Sequence, residues 1–157
     1  MSVTGSGPYP RLSLEALASG SLRSVESAWA GGEAVIIHGH RNCKTTRQTL
    51  PYVDRIHRRK GKGTVLAVLQ DDRETAEALV AEQGLLMPVL LEADPYPLAA
   101  AVSLEVVPTV FLIRSDGTIE TAVQGFNRAA LEALAARLGV MGPLFTAEDD
   151  APATKPG

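Results

Sequence analysis

A lone cysteine, Cys43, is the residue of this 157-residue chain with the clearest capacity for chemistry. It follows a short apolar run, Ala34 to His38, and precedes a polar, helix-compatible stretch that ends near Lys60. A cysteine at that point faces the unpaired N–H groups of a helix N-terminus, and these groups and the helix dipole favour a thiolate. The alternative is a small, buried and inert apolar residue. The position alone leaves both interpretations open.

The segment that contains this cysteine is strongly basic. Eight of the 15 Lys and Arg residues lie between residues 41 and 62, where Asp54 is the only acid. Such a cluster is either the solvated face of a helix or an electrostatic guide for anionic partners. Nucleic-acid binding usually adds stacking aromatics, and Tyr52 is the only Phe, Tyr or Trp here. We therefore expect no nucleic-acid partner, and we count Arg41 and Lys44 as candidate substrate-binding residues.

Two histidines precede the cysteine. His38 and His40 are two residues apart and would share a face if the strand continued. One of them could then act as a base toward Cys43, or both could join it in a metal site. Two histidines and one cysteine lack a fourth ligand, so we expect neither a metal nor another cofactor.

Composition excludes several classes of protein. A single cysteine cannot pair within the chain, which rules out a disulfide scaffold. No charge-free stretch exceeds ten residues, whereas a membrane-spanning helix needs about 20 apolar residues. The net charge of -3 gives no general affinity for membranes or nucleic acid. The first residues show no basic segment followed by an apolar run. We therefore expect a cytoplasmic protein without membrane contact.

Apolar runs predict two strands joined by a helix. Ala34 to His38 and Thr64 to Leu69 are apolar and β-branched, as expected for strands buried on both faces. The stretch from Cys43 to Lys60 connects them. The unit is therefore βαβ, and its right-handed crossover makes the two strands parallel neighbours.

The remaining segments complete an alternation of helices and strands. The predicted elements are a first helix through Leu22, Val25 and Trp29, a helix from the cap Asp72 to Gly84, a short strand within Met87 to Leu91, a short helix within Pro95 to Ser103, strands at Thr109 to Ile113 and Thr118 to Val123, and a last helix from Asn127 to Leu138. An Asp-Gly pair between the last two strands predicts a hairpin. This order predicts an α/β fold, a mixed sheet with helices on both faces.

Composition also marks the two ends of the chain. The first segment is rich in Ser, Gly and Pro, and the last is acidic and Pro-rich with little to bury. We therefore predict disordered segments at 1–11 and 146–157 around one domain at 12–145. A domain of that size buries enough surface to fold without metal or disulfides.

These features together resemble the thioredoxin superfamily, in particular the TlpA-like thiol-disulfide oxidoreductases and their redoxin relatives. Three segments carry the resemblance, namely Cys43 with Pro51 eight residues later, Val107-Pro108 before the strand at Thr109 to Ile113, and the stretch from Glu82 to Leu91. The resemblance implies a thioredoxin fold with a four-stranded core sheet and room for one extra short strand. The implied strand order is Thr64–Leu69, Ala34–His38, Thr109–Ile113, Thr118–Val123.

The resemblance also implies how the site is built. The proline that matches Pro108 is cis in the family and packs beside the active-site sulfur, whereas a plain strand-entry proline is the alternative. The backbone of Val107 would then pair with a bound peptide or thiol as an added strand. Val107 and Pro108 are therefore candidate substrate-binding residues.

Departures from the family pattern change the implied chemistry. Thr46 stands where the second cysteine of a Cys-x-x-Cys motif would be, so the chain cannot resolve a mixed disulfide by itself. Ile37 replaces a buried carboxylate that assists proton transfer in thioredoxins. The resemblance then implies single-thiol chemistry, with Cys43 as nucleophile and the Thr46 hydroxyl donating to its thiolate. A bond from that hydroxyl to its own backbone is the alternative.

Three functions are compatible with such a site. The first is a thiol-disulfide oxidoreductase that forms a mixed disulfide at Cys43, which an external thiol such as glutathione resolves. The second is a non-catalytic module that binds a partner through the same surface. The third, a thiol peroxidase, is disfavoured because Ile36 and His40 stand where peroxiredoxins have Pro and Thr. The expected partner is a protein or small-molecule thiol or disulfide, and one free cysteine is compatible with a monomer or a homodimer.

Overall fold

The computed structural model describes residues 7–157, which form an α/β fold around a seven-stranded sheet. Residues 1–6 of the predicted disordered segment lie outside the described residues. The strands are β1 (Ser13–Ala16), β2 (Leu22–Ser24), β3 (Ala34–Gly39), β4 (Thr64–Leu69), β5 (Val89–Leu91), β6 (Thr109–Ile113), β7 (Ile119–Gln124), β8 (Phe126–Asn127) and β9 (Thr154–Lys155). The helices are α1 (Lys44–Arg59), α2 (Arg73–Gln83), α3 (Pro97–Ala101) and α4 (Arg128–Arg137), with 3-10 turns at Val25–Ala28 and Ala147–Asp149.

The sheet contains the predicted core but is larger than predicted. Its order is β2-β1-β5-β4-β3-β6-β7, so the inner order β4-β3-β6-β7 agrees with the sequence prediction. Strand β5 is the predicted short extra strand and runs parallel to β4. The four-stranded core is nevertheless wrong in extent, because the antiparallel pair β1 and β2 extends the sheet beyond β5. Strand β5 is a continuous apolar run, whereas β1 (SLEA) and β2 (LRS) are short and contain charged residues, so no apolar pattern marks them as strands.

The first predicted helix is wrong. Leu22 begins strand β2 and is 75% exposed, and the following 3-10 turn spans only four residues. Val25 and Trp29 are buried, as a helix would have buried them. A spacing of three or four residues suits one 3-10 turn as well as an α-helix, and backbone pairing of Ser24 with Ser13 decided between them.

The caps expected for two other helices are confirmed. Asp72 accepts a hydrogen bond from the Thr75 N–H (2.8 Å) at the start of α2, and Gly84 ends that helix with a φ of 61°. Asn127 accepts from the Ala130 N–H (2.9 Å) at the start of α4. Each side chain satisfies a backbone donor that a helix start leaves unpaired, and this local chemistry is readable from sequence.

Two apolar layers cover the two faces of the sheet. On one face, Val35 and Ile37 of β3 pack in a cluster with α1 and α4. On the other face, Ile36 packs in a cluster with Trp29 and Phe111. All six residues of β3 are buried, as expected for a central strand of a parallel region. Helix α1, which follows this strand, is therefore seated directly on the sheet.

The N-terminal segment contributes to the second layer through Tyr9, which lies within the segment 1–11 that the sequence predicted to be disordered. Tyr9 is 1% exposed and packs edge-on against Trp29 and Phe111. Pro8 forms a bridge with Thr118, and the Tyr9 N–H donates to the Gly117 carbonyl (2.9 Å). Burial of one aromatic ring stabilises the fold by about 1.5–3 kcal/mol. This gain favours an ordered Tyr9 although the surrounding segment is rich in Gly and Pro.

The structure also differs from the prediction of disorder at 146–157. Asp149 forms a capping box with Thr146 and a two-bonded ion pair with Arg55, at 2.9 and 3.0 Å. The ion pair holds the pKa of Asp149 well below its usual range. Further along, β9 pairs with β8 in an antiparallel two-stranded sheet. The composition of this segment predicted disorder because its partners are distant in sequence and cannot be recognised from the segment itself.

We expect Asp149→Asn to loosen the C-terminal segment without unfolding the domain. The substitution removes the charge that pairs with Arg55, a loss of roughly 1 kcal/mol for a pair of this kind. Hydrogen exchange should then quicken about fivefold at the Arg128 N–H, which donates to the Ala153 carbonyl (2.9 Å). The neighbouring exposed substitution Glu148→Gln is the control. Unchanged protection of Arg128 in Asp149→Asn would show that the ion pair does not anchor the segment.

Candidate active site at Cys43

Cys43 is the N-cap residue of α1, at the carboxyl end of the central strand β3. Its Sγ accepts a hydrogen bond from the backbone N–H of Thr46 (3.4 Å). The same sulfur, as a thiol, donates to the carbonyl of Val107 (3.3 Å). The side chain is partly exposed. The structure therefore brings the predicted nucleophile and the predicted wall residue Val107 into contact.

The two contacts of the sulfur favour opposite protonation states. A helix N–H that points at sulfur stabilises a thiolate. A carbonyl oxygen can only accept, so the Val107 contact requires the proton to be present. The Val107 oxygen has a second lone pair, so the thiol does not use its full capacity to accept hydrogen bonds. The sulfur and the loop that carries Val107 are therefore in direct contact.

The loop that carries Val107 is held on both sides. The Val107–Pro108 peptide bond is cis. The Thr109 hydroxyl donates to the Val106 carbonyl (2.6 Å), and the Pro108 carbonyl accepts from the Gly125 N–H (2.8 Å). These bonds tie the loop to β6 and to the turn before β8. The Val107 carbonyl is thereby kept beside the sulfur.

Thr46 contributes to the site through its backbone. Its side chain is fully buried, and its hydroxyl has no hydrogen-bond partner among the described residues. Neither of the two partners expected from the sequence, the Cys43 sulfur or the residue's own backbone, bonds that hydroxyl. The side chain packs tightly on Gly39, where an added Cβ would lie 2.5 Å from the Thr46 methyl carbon. A donation from the Thr46 hydroxyl to a thiolate therefore stays a prediction.

The two basic residues predicted to bind substrate differ in their surroundings. Arg41 pairs with Glu82 (2.7 Å), and its backbone N–H donates to Asp71 (3.0 Å). Lys44 is exposed at the first turn of α1, one residue after the cysteine. Arg41 is therefore committed to contacts of the turn before α1 with α2 and with the residue Asp71 that precedes α2, while Lys44 is exposed one residue after the cysteine.

His38 lies on the opposite face of the sheet from α1. It shares a hydrogen bond of 2.6 Å with the Tyr9 hydroxyl, and its ring packs in the aromatic cluster with Phe111. Burial lowers the pKa of His38 to about 3, so the ring is neutral at physiological pH. The suggested pairing of His38 with Cys43 is thus wrong, because alternation along β3 directs residue 38 to the far face. No group of three His, Cys, Asp or Glu side chains within residues 7–157 is placed to hold a metal ion.

The C-terminal segment reaches the same site, which the sequence did not indicate. The Thr45 hydroxyl donates to the Pro156 carbonyl (2.7 Å). Gly157 lies against the Val107 carbonyl so closely that an added Cβ would overlap it. These contacts join residues at least 50 positions apart, and no local pattern marks them.

Comparison with known proteins shows solved structures with the same fold. Neither a family model nor a curated protein matches the chain. A candidate thiol:disulfide interchange protein DsbE from Chlorobium tepidum superposes with a TM-score of 0.75 at 23% identity, over 90% of this chain and 100% of that chain. The thioredoxin domain of a thiol-disulfide oxidoreductase from Bacteroides vulgatus gives 0.75 at 16% identity, over 88% and 100% of the two chains.

A third similar structure is a secreted disulfide oxidoreductase of Mycobacterium tuberculosis, with a TM-score of 0.70 at 20% identity over 82% of this chain and 96% of that chain. The chain has the thioredoxin fold. The fold expected from Cys43, Pro51 and the Val107-Pro108 pair is confirmed, with a sheet of seven strands instead of four. Within this thioredoxin fold, residues 7–157 contain no helix long and apolar enough to cross a membrane.

The buried histidine of this thioredoxin fold predicts a loss of stability in acid. His38 takes up a proton near pH 6.5 in the unfolded chain but only near pH 3 in the folded one. The unfolded state therefore binds more protons between these values, and the free energy of unfolding falls as the pH falls. The contribution is fully present above pH 6.5 and is lost at about 1.4 kcal/mol per pH unit below it.

Urea unfolding at pH 7.5 and at pH 5 measures this effect. His38→Gln removes the ring while keeping a polar group near the Tyr9 hydroxyl. Whatever its stability at pH 7.5, this variant should lose roughly 2 kcal/mol less than the wild type on acidification. Equal losses in the two proteins would contradict the assignment of the effect to His38.

Proposed function

We propose that the protein is a single-cysteine thiol-disulfide oxidoreductase with Cys43 as its nucleophile. The observation that supports this is the position of the sulfur, which is partly exposed at the N-terminus of α1 and receives the Thr46 N–H. A thiolate at a helix N-terminus is the reactive form of a cysteine in exchange chemistry. The similar solved structures share the fold in which such a site occurs, and the mechanism below is our inference from this chain's own residues.

The proposed reaction has two exchange steps. In the first, the Cys43 thiolate attacks one sulfur of a disulfide RS–SR′, so that a Cys43–SR bond forms and R′S⁻ leaves with the electron pair of the broken bond. The leaving thiolate takes a proton from water. In the second, the thiolate of an external thiol R″SH attacks the sulfur of R. The R″S–SR disulfide forms and the Cys43 thiolate is released, so the substrate disulfide is exchanged and the enzyme is unchanged.

The external thiol is required because Cys43 is the only cysteine of the chain. Thr46 occupies the helix position from which a second thiol would attack, and its buried hydroxyl cannot form a disulfide. Its N–H would again stabilise Cys43 as the leaving thiolate in the second step. A small cellular thiol such as glutathione fits this role.

The substrate would be held by the loop before β6 and attracted by the exposed side chain of Lys44. The Val107 carbonyl has a second lone pair, with which it can accept a backbone N–H of an extended substrate. Pro108 keeps that carbonyl beside the sulfur. Lys44 attracts anionic groups near the reacting sulfur, and Arg41 supports the turn that precedes Cys43.

The first test of this proposal restores the missing second thiol. Oxidised glutathione should add one glutathione to the protein by mass spectrometry, and Cys43→Ser should show no adduct. In Thr46→Cys the new thiol lies one helical turn from Cys43, so it should displace the bound glutathione and shorten the lifetime of the adduct at least tenfold. Thr46→Ser is the matched control and should keep the wild-type lifetime. Absence of any adduct on the folded wild-type protein would overturn the proposal.

The second test concerns the electrostatic role of Lys44. We expect Lys44→Gln to slow adduct formation with the anionic glutathione disulfide about threefold at low salt, and the difference should vanish near 0.5 M salt. Lys62→Gln, in the same basic segment but beyond the end of α1, should react at the wild-type rate. An effect of equal size in both variants would assign the steering to net charge and not to Lys44.

A further inference from the structure

The last four described residues, Thr154 to Gly157, cross the surface beside the reactive sulfur. We name them the C-terminal strap. Its first two residues form β9, which pairs antiparallel with β8 through Asn127↔Thr154 and Phe126↔Lys155. Beyond this pairing, the Pro156 carbonyl accepts the hydroxyl hydrogen of Thr45 (2.7 Å). The strap is thus bound as an extended peptide would be, by backbone pairing and one side-chain bond.

The end of the strap reaches the carbonyl that contacts the nucleophile. A Cβ on Gly157 would overlap both the Val107 oxygen and the Val106 side chain. The same Val107 oxygen accepts from the Cys43 thiol (3.3 Å). An extended substrate that approached the Val107 carbonyl would therefore meet Gly157 first.

Gly125, which precedes β8, leaves space for the strap because it has no side chain. At Gly125, an added Cβ would lie 2.5 Å from the Lys155 carbonyl oxygen and 3.0 Å from the Gly157 nitrogen. The φ of Gly125 is 73°, a conformation that other residues rarely adopt. Glycines therefore stand on both sides of this contact, at 125 and at 157, and a side chain at either position would displace the strap.

We propose that the C-terminal strap is an intramolecular competitor, which occupies the surface that an extended polypeptide substrate needs and must leave before such a substrate reaches Cys43. The identity of the substrate as a polypeptide rests on the proposed function. The occupation of the surface rests only on the contacts of residues 154–157. Small disulfides, which need only the sulfur itself, pass the strap more easily than a peptide does.

The strength of the attachment suits a competitor that opens. Thr154, Pro156 and Gly157 are exposed, and the strap is held by a two-residue strand pairing and the Thr45 bond. Segments with few buried contacts open at low free-energy cost. The Asp149–Arg55 ion pair keeps the strap tethered nearby, which raises its effective concentration. The apparent affinity of a substrate peptide is then reduced by the fraction of molecules in the open state.

The first experiment compares two disulfide probes on the full chain and on a variant that lacks residues 154–157. One probe is an unstructured decapeptide whose single cysteine is disulfide-bonded to thionitrobenzoate, and the other is hydroxyethyl disulfide. Removal of the strap should speed mixed-disulfide formation with the peptide probe five- to tenfold and with the small probe less than twofold. Lys155→Ala, which keeps the backbone contacts, is the matched control and should react like the wild type. If the shortened variant reacts with the probes, equal acceleration of both or acceleration of neither would overturn the proposal.

The second experiment does not depend on redox chemistry. In a Cys43→Ser background, a synthetic peptide of residues 151–157 should bind the shortened variant saturably and shift the NMR signals of Thr45, Val107 and Phe126. The full chain should bind this peptide at least tenfold more weakly. A peptide with Gly157→Val should not bind, because its side chain would overlap the Val107 carbonyl. No binding of the unmodified peptide to the shortened variant would overturn the proposal.

The two experiments separate the strap from the proposed function. If the peptide binds but Cys43 reacts with no disulfide, the proposal for the strap is supported and the proposed oxidoreductase function is rejected. If Cys43 exchanges disulfides at the same rate with and without the strap and the peptide does not bind, the oxidoreductase function is supported and the proposal for the strap is rejected.

Discussion

The complete burial of β3 is the constraint on which the site depends. Every residue of this strand is buried between two apolar layers, so the position at which the chain leaves the strand, at its carboxyl end, is fixed. Helix α1 must begin there, because Leu50 and Val53 of its inner face pack on the same layer as Ile37. Cys43 therefore becomes the helix cap, with its sulfur turned toward the Thr46 N–H. The chemistry of the sulfur thus follows from how the core is packed.

The Val107 carbonyl connects the Cys43 sulfur with distant parts of the chain. It accepts from the Cys43 thiol, and Gly157 lies against it. Every residue has the same backbone carbonyl, so the sequence cannot show which one contacts the sulfur. The Val107 carbonyl differs from the others only in its position next to Cys43. The sulfur and the C-terminal strap therefore meet at this one acceptor.

Several features could be predicted because their causes are local. Asp72 and Asn127 cap helices through bonds to residues three positions away. The apolar runs of β3 and β4 predicted a parallel pair, and the turn between β3 and α1 located Cys43. Other features could not be predicted, because their partners are distant. Tyr9 joins the core through His38 and Phe111, against the local composition.

The sequence by itself determined the βαβ unit of a mixed α/β sheet, the single cysteine before α1 and the absence of a second thiol at Thr46. Those properties depend on residue type, short-range spacing and the burial of continuous apolar runs. Only the tertiary structure decided that Thr46 meets the sulfur through its N–H, that His38 faces away from it, and that Gly157 covers the Val107 carbonyl. The physical reason is that backbone donors and acceptors are the same in every residue, so only the packing of distant segments selects which of them meet.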